Sequence, residues 1–321
     1  MVDPASGCRP TAMHLKLGGD VSKFPPMLGL TLPLDWRERQ ARGDLPDVPG
    51  GVYAFIGGLG FGYVEFGAGT DDDAVALLTQ EAELCRQAGL RVAVHLRPPR
   101  EEHRRAGWFG DAPGAQPGVE PVLHAGRVAS KGAGSPVHVV LHPAEFVREE
   151  GDPVPEDLRP DLLRRSQLFF SELERRLSEE PGGPVRVMVE HQLPPVPGDG
   201  FVRIGDTSAE LLDVVRDCGL PLCWDTGHYL LSIDCYGLPL EPPAGFLPRV
   251  SHVHLHDVVD GRDHKPISGS SDRLRELMRM LQSAGFSGWV TLEYALAGIA
   301  AAGGPARVLP ESVRILSSWA V

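Results

Sequence analysis

The sequence predicts an α/β protein, a single (β/α)8 TIM barrel with an N-terminal extension and a long loop after the third strand. Three observations predict it. Eight short apolar runs alternate with helical stretches, which reads as a parallel sheet covered by helices. Eight such units in roughly 250 residues match the usual size of a closed barrel. Seven consecutive runs end on or near an acid or a histidine, namely Glu65, His95, His142, Glu190, Asp225, His254 and Glu293. In a barrel those positions share the C-terminal rim, where the reaction site of this architecture lies. An open doubly wound sheet is the alternative, and the absence of a G-x-G-x-x-G turn opening a helix after an early strand counts against it.

The elements follow in order. Residues 1–25 are rich in Pro and Gly and are expected as an extension, with the barrel over 26–321. Leu28 to Leu34 reads as the first strand. A glycine-rich helical stretch from Val52 to Leu59 leads to the second strand, Gly62 to Phe66. Asp71, Asp72 and Asp73 place negative charge at a helix N-terminus, Val75, Leu78, Ala82 and Cys85 recur at helical spacing, and Gly89 ends the helix. Arg91 to Leu96 is the third strand. Residues 97–135, rich in Gly, Pro and Arg, read as a loop carrying Trp108 and Phe109 that would hang over the site as a lid; its Arg97 to Arg105 cluster opens on the same face. Val137 to His142, Val185 to Glu190, Pro221 to Asp225, Val250 to His254 and Trp289 to Glu293 supply the remaining strands. Helices are expected over Pro155 to Glu180, from the Thr207-x-x-Glu210 capping box through Leu211, Val214 and Cys218, over Asp272 to Ala284 before Gly285, and after Pro310.

Composition narrows the partners. A formal net charge of −12 repels a phosphate backbone or an anionic membrane, so a small molecule is the expected partner, with neither nucleic acid nor membrane. A homo-oligomer is allowed but not specified. Five cysteines without a C-x-x-C pair fit a reducing compartment, and Cys218 and Cys223 read as packing residues. The N-terminus lacks the basic and apolar regions of a signal peptide, and no run of about 18 apolar residues occurs, so a soluble, cytoplasmic protein is expected.

The last four rim residues, Glu190, Asp225, His254 and Glu293, are spaced 35, 29 and 39 residues apart, close to one strand-helix unit each. Three carboxylates gathered in one cavity repel one another unless a divalent cation neutralises them. Three oxygen donors and one imidazole, without thiolate, suit Mn²⁺, Mg²⁺, Co²⁺ or Zn²⁺. His252 and His256 flank His254 and are expected to point away from the cavity.

Val-Met-Val-Glu190, Leu-Cys-Trp-Asp225-Thr-Gly-His228, His252-Val-His254-Leu-His-Asp257 and Val-Thr-Leu-Glu293 resemble the metal-site motifs of the xylose isomerase-like TIM-barrel superfamily, over roughly residues 28–300. That group holds sugar and sugar-phosphate isomerases and epimerases, dehydratases and endonuclease IV. The resemblance implies one divalent ion, Mn²⁺ foremost, held by Glu190, Asp225, His254 and Glu293. It makes Glu190 and Glu293 the acid/base pair and His228 a substrate contact; His142, His95, Asp257 and His264 are further candidate substrate contacts. Departures limit the transfer of substrate identity. Glu190-His191-Gln192 replaces the Glu-x-Lys of xylose isomerase, and Asp260 and Val196 stand where ketose 3-epimerases carry Arg and Glu. His142, His228 and His264 are also similar to ligands of the wider three-zinc set of endonuclease IV, but Arg262 replaces the Asp expected two residues before the last histidine.

The expected function is therefore isomerisation or epimerisation of a sugar or sugar-like keto-polyol by proton transfer through an enediolate. A metal-dependent lyase or dehydratase on the same site is the nearest alternative. An endonuclease IV-like phosphodiesterase with two or three metals, or a catalytically silent barrel, stands further off.

Overall fold

Eight parallel strands close into a barrel in the order β1, β12, β9, β8, β6, β4, β3, β2. They are β1 (Met27–Pro33), β2 (Tyr63–Ala68), β3 (Arg91–Leu96), β4 (Val137–Leu141), β6 (Val185–Glu190), β8 (Leu222–Asp225), β9 (Val250–Leu255) and β12 (Trp289–Leu292). The computed structural model describes residues 27–42, 48, 50–97, 107–109, 118–147, 158–179, 183, 185–195 and 201–319. The expected extension, residues 1–25, lies outside them.

Each strand alternates between two environments. Leu30, Leu32, Val64, Phe66, Val92, Val94, Val253 and Leu255 belong to the large buried cluster shared with the helices. The interposed residues form separate small clusters, Tyr63 with Ala93 and Trp289, and Val140 with Met188 and Cys223. Gly29 is required where Tyr63 crosses β1, because a Cβ there would stand 2.2 Å from the phenol ring.

The outer layer includes α3 (Asp72–Gln87), α4 (Glu120–Ser130), α5 (Leu158–Ser178), α6 (Ser208–Val214), α7 (Thr226–Tyr236), α8 (Asp272–Ser283) and α10 (Pro305–Trp319). Asp71 caps α3 by accepting from the Ala74 amide at 2.9 Å. At α6, Thr207 accepts from the Glu210 amide at 3.2 Å, while the Glu210 carboxylate accepts from the Gly205 amide at 2.7 Å instead of closing back on Thr207. Among the described residues there are also three short helices, α1 (Trp36–Ala41), α2 (Val52–Gly58) and α9 (Leu296–Ala301).

Two antiparallel pairs lie outside the barrel, β5 (Glu145–Val147) with β7 (Phe201–Arg203), and β10 (Asp257–Val259) with β11 (Arg262–Lys265). The stretch from 97 to 135 contains α4, whose Val122, Leu123, Ala125 and Ala129 are buried. Trp108 and Phe109 do not hang over the site: they are 5% and 4% exposed and pack on Phe169 of α5. Large aromatic surfaces gain more from that burial than a lid tip would. The terminal helix starts five residues earlier than its proline suggests. Pro310 lies inside α10, where Val308, Leu309, Val313, Leu316 and Trp319 bury one face and outweigh the lost hydrogen bond. Residues 155–157, expected in α5, are outside the described set.

Candidate metal centre

Four strand ends bring their donors together. One ligand atom each from Glu190, Asp225, His254 and Glu293 lies within 4.8 Å of all the others, and all four residues are buried. His254 Nδ1 is 2.7 Å from Glu190 Oε1 and 2.8 Å from Glu293 Oε2.

The Asp225-Thr-Gly-His228 run sits where β8 turns into α7. Asp225 is the N-cap, with Oδ1 accepting from the His228 amide at 2.7 Å. The Thr226 hydroxyl donates to the His254 carbonyl at 3.0 Å and ties the turn to β9. His256 Nδ1 accepts from the His264 amide at 2.8 Å, so the ring proton sits on Nε2, 3.1 Å from Asp225 Oδ2. Gly227 leaves the room this ring needs.

The expectation that His252 and His256 face away is corrected. Residues 252, 254 and 256 share one face of a strand, because side chains repeat every two residues. All three are buried with no exposure, His256 against Asp225 and His252 with Nε2 3.1 Å from Glu65 Oε2. Glu65 lies within β2, with its Oε1 2.9 Å from His254 Nε2.

His95 and His142 flank the first donor. Their Nε2 atoms each lie 3.1 Å from Glu190 Oε2 without hydrogen-bond geometry, and the three residues form a second group able to hold a cation. A third group joins Asp225, His228, His256 and His264. His228 Nδ1 contacts the His191 carbonyl at 3.1 Å, and its Nε2 is 3.7 Å from Asp263 Oδ2. Asp263 was not singled out by sequence. The one sequence signal that could have found it is its place next to His264 in Arg-Asp-His-Lys; its Oδ2 lies 3.2 Å from His264 Nδ1. Asp257 stands apart from these groups on β10, accepting from the Val258 amide and the Ser271 hydroxyl.

The electrostatics favour ionised donors. Burial pushes Glu190 up, but His254, His95 and His142 outweigh it and hold the carboxyl well below the usual range. Glu293 behaves alike, with His254, His264 and His95 overcoming burial. Burial pushes His264 down, yet Asp263 and Glu293 raise it to about 11.

The residues fit a divalent metal. Glu190 Oε2 and Glu293 Oε2 are buried without a hydrogen-bond partner, an expense of about 1–3 kcal/mol or more per group that a cation removes. Oxygen-rich donors with one imidazole suit a hard to borderline ion. Glu293 and His264 open on a cavity of about 670 Å³ that also reaches Thr31, Gly67 and Arg97. No helix among the described residues is long and apolar enough to cross a membrane.

Comparison with solved structures shows a fold shared with sugar epimerases. A 3-keto-D-glucoside 4-epimerase from E. coli aligns with a TM-score of 0.59 at 16% identity, covering 91% of this chain and 98% of its own. A D-psicose 3-epimerase aligns with a TM-score of 0.59 at 11% identity, covering 91% and 97%. A D-tagatose 3-epimerase-like protein gives 0.53 at 18% identity, covering 91% and 98%. None of the curated proteins matches in sequence. The xylose isomerase-like TIM barrel model matches residues 54–319, nearly the whole barrel and every donor described above. The chain belongs to the xylose isomerase-like TIM barrel family.

Proposed function

We propose that the chain is a divalent-metal-dependent isomerase or epimerase of a sugar or sugar-like keto-polyol. The observation that carries the reading is the convergence of Glu190, Asp225, His254 and Glu293 within 4.8 Å, with Glu293 lining an open cavity. The sugar epimerases that share the fold support it.

A divalent ion, Mn²⁺ foremost, would polarise a substrate carbonyl and the adjacent hydroxyl and acidify the C–H between them. Glu293, exposed to the cavity at one edge, takes that proton, and Glu190 or Glu293 returns it. His228 and His264 orient substrate oxygens, as do His95 and His142 beside Glu190. A β-leaving group on the same substrate would turn the site to dehydration, which makes a lyase the nearest alternative.

The experiment is incubation of the metal-loaded protein with a panel of ketoses and keto-polyols in D₂O. Epimeric or isomeric product carrying solvent deuterium supports the reading. Elimination product moves it to the lyase, and no turnover of any panel member by protein with bound metal overturns the sugar assignment.

A second reading rests on two of the further groups that could hold a cation, His95, His142 with Glu190, and Asp225, His228 with His256 and His264. Their joint occupation would make a multi-metal phosphodiesterase. Elemental analysis separates the readings: one ion per chain supports the isomerase, and two or three support the phosphodiesterase.

A further inference from the structure

Beneath the donor cluster the barrel holds Glu65, a carboxylate with no exposure that none of the proton transfers above uses. The register of β2 pairs it with Thr31 on β1 and Ala93 on β3. This layer of a barrel is ordinarily filled by Val, Ile or Leu. An ionised carboxylate there is strongly disfavoured unless it is well paired.

Its partners are specific. Glu65 Oε1 lies 2.9 Å from His254 Nε2, and Oε2 lies 3.1 Å from His252 Nε2. The Thr31 hydroxyl donates to Oε1 and the Thr291 hydroxyl to Oε2, both at 3.4 Å. The carboxylate is thus flanked from three strands, and its Oε1 lies beside the far nitrogen of the His254 imidazole, within reach of Nε2 but off the line of a hydrogen bond in this ring orientation.

An imidazole binds a cation through a lone pair, and its other nitrogen then carries the proton. The cluster geometry puts Nδ1 of His254 toward Glu190 and Glu293, so the proton belongs on Nε2, where an acceptor is needed. Glu65 Oε1 is the acceptor in reach. We propose that Glu65 is a positioning residue of the metal centre, receiving the Nε2 proton of His254 and so presenting the Nδ1 lone pair to the ion. The inference rests on the metal reading of the four-donor cluster. Partners of this kind fix ring orientation and raise ligand basicity, and their loss weakens metal binding about 10–100-fold.

The test compares Co²⁺ and Mn²⁺ affinity in wild type, Glu65→Gln and Val140→Ala, the last removing bulk from the barrel interior without touching a donor. The expected result is a 10–100-fold weaker Kd for folded Glu65→Gln with an altered Co²⁺ absorption spectrum, while Val140→Ala melts lower but binds as wild type. An unchanged Kd and spectrum in Glu65→Gln overturns the inference alone, as does equal weakening in Val140→Ala. A wild type that binds neither ion overturns the metal reading and this inference with it. If Glu65→Gln does not fold, ¹H–¹⁵N spectra of Zn²⁺-loaded wild type decide: a proton on His254 Nε2 is expected, and a proton on Nδ1 overturns the inference.

Discussion

Gly227 and His256 fit against each other with no room for a side chain between them: a Cβ at position 227 would stand 1.9 Å from His256 Cε1 and 2.2 Å from Nδ1. That contact lets the imidazole accept from the His264 amide and reach Asp225. Gly227→Ala must displace the ring or the turn. Overpacking of this kind costs about 1–3 kcal/mol, and a melting temperature lowered accordingly, together with weaker metal binding, is expected. Calorimetry and a metal titration check it; wild-type values for both would contradict the fit.

Metal removal should destabilise the native chain. An ion that binds only the folded state adds RT ln(1 + [L]/Kd), about 2.7 kcal/mol when free ion exceeds Kd a hundredfold. Thermal scans with chelator and with added Mn²⁺, Co²⁺ or Zn²⁺ should differ in that sense. Identical scans would speak against a bound ion.

Ligand and catalyst separate at Glu293 and Asp225. Glu293→Gln keeps an oxygen donor and removes the charge that accepts a proton, so it should retain part of the metal while losing turnover by about 10²-fold or more. Asp225→Ala deletes a donor and the α7 cap together, and should lose metal and turnover in parallel. Metal content and turnover measured on the same preparations check both. A fully active Glu293→Gln would remove this carboxylate from the chemistry.

Trp108 should behave as a core residue. It is 5% exposed, and its ring stacks with Phe169 at 6.3 Å between centroids. Trp108→Ala is expected to cost about 3–5 kcal/mol in urea unfolding, the range for deleting a large buried aromatic. A cost under about 1 kcal/mol would return this segment to the role of an exposed lid.

Acid sensitivity has one source at the other end of the barrel. Burial, with His252 and Arg186 adding to it, pushes His138 down to about 2, against about 6.5 for a free histidine. Below about pH 6.5 the unfolded chain takes up a proton that the folded chain refuses. Stability from this group is therefore full above pH 6.5 and falls as pH drops toward 2, by up to about 1.4 kcal/mol per unit. His138→Phe keeps a ring on Trp289, 3.8 Å away, and should flatten the fall in unfolding free energy between pH 7 and 5 by up to one proton's worth. An unchanged slope would show that His138 titrates normally.

The sequence by itself determined the barrel and its strand order along the chain, and it marked four polar residues at strand ends, because each depends on local periodicity. Alternating apolar runs mark strands, and the unit spacing of Glu190, Asp225, His254 and Glu293 places them at one rim. The burial of Trp108 and the course of α10 through Pro310 were not legible, since both depend on apolar partners distant in the chain. Only the tertiary structure decided what stands behind the donors. Glu65 is far in sequence from His254, and Asp263 from His228; closure of the barrel brings the first pair together, and packing of the β10–β11 pair on α7 the second. His256 was within reach of the two-residue strand period, but its bond to Asp225 also requires the bare backbone of Gly227, a fit between two turns that only packing reveals.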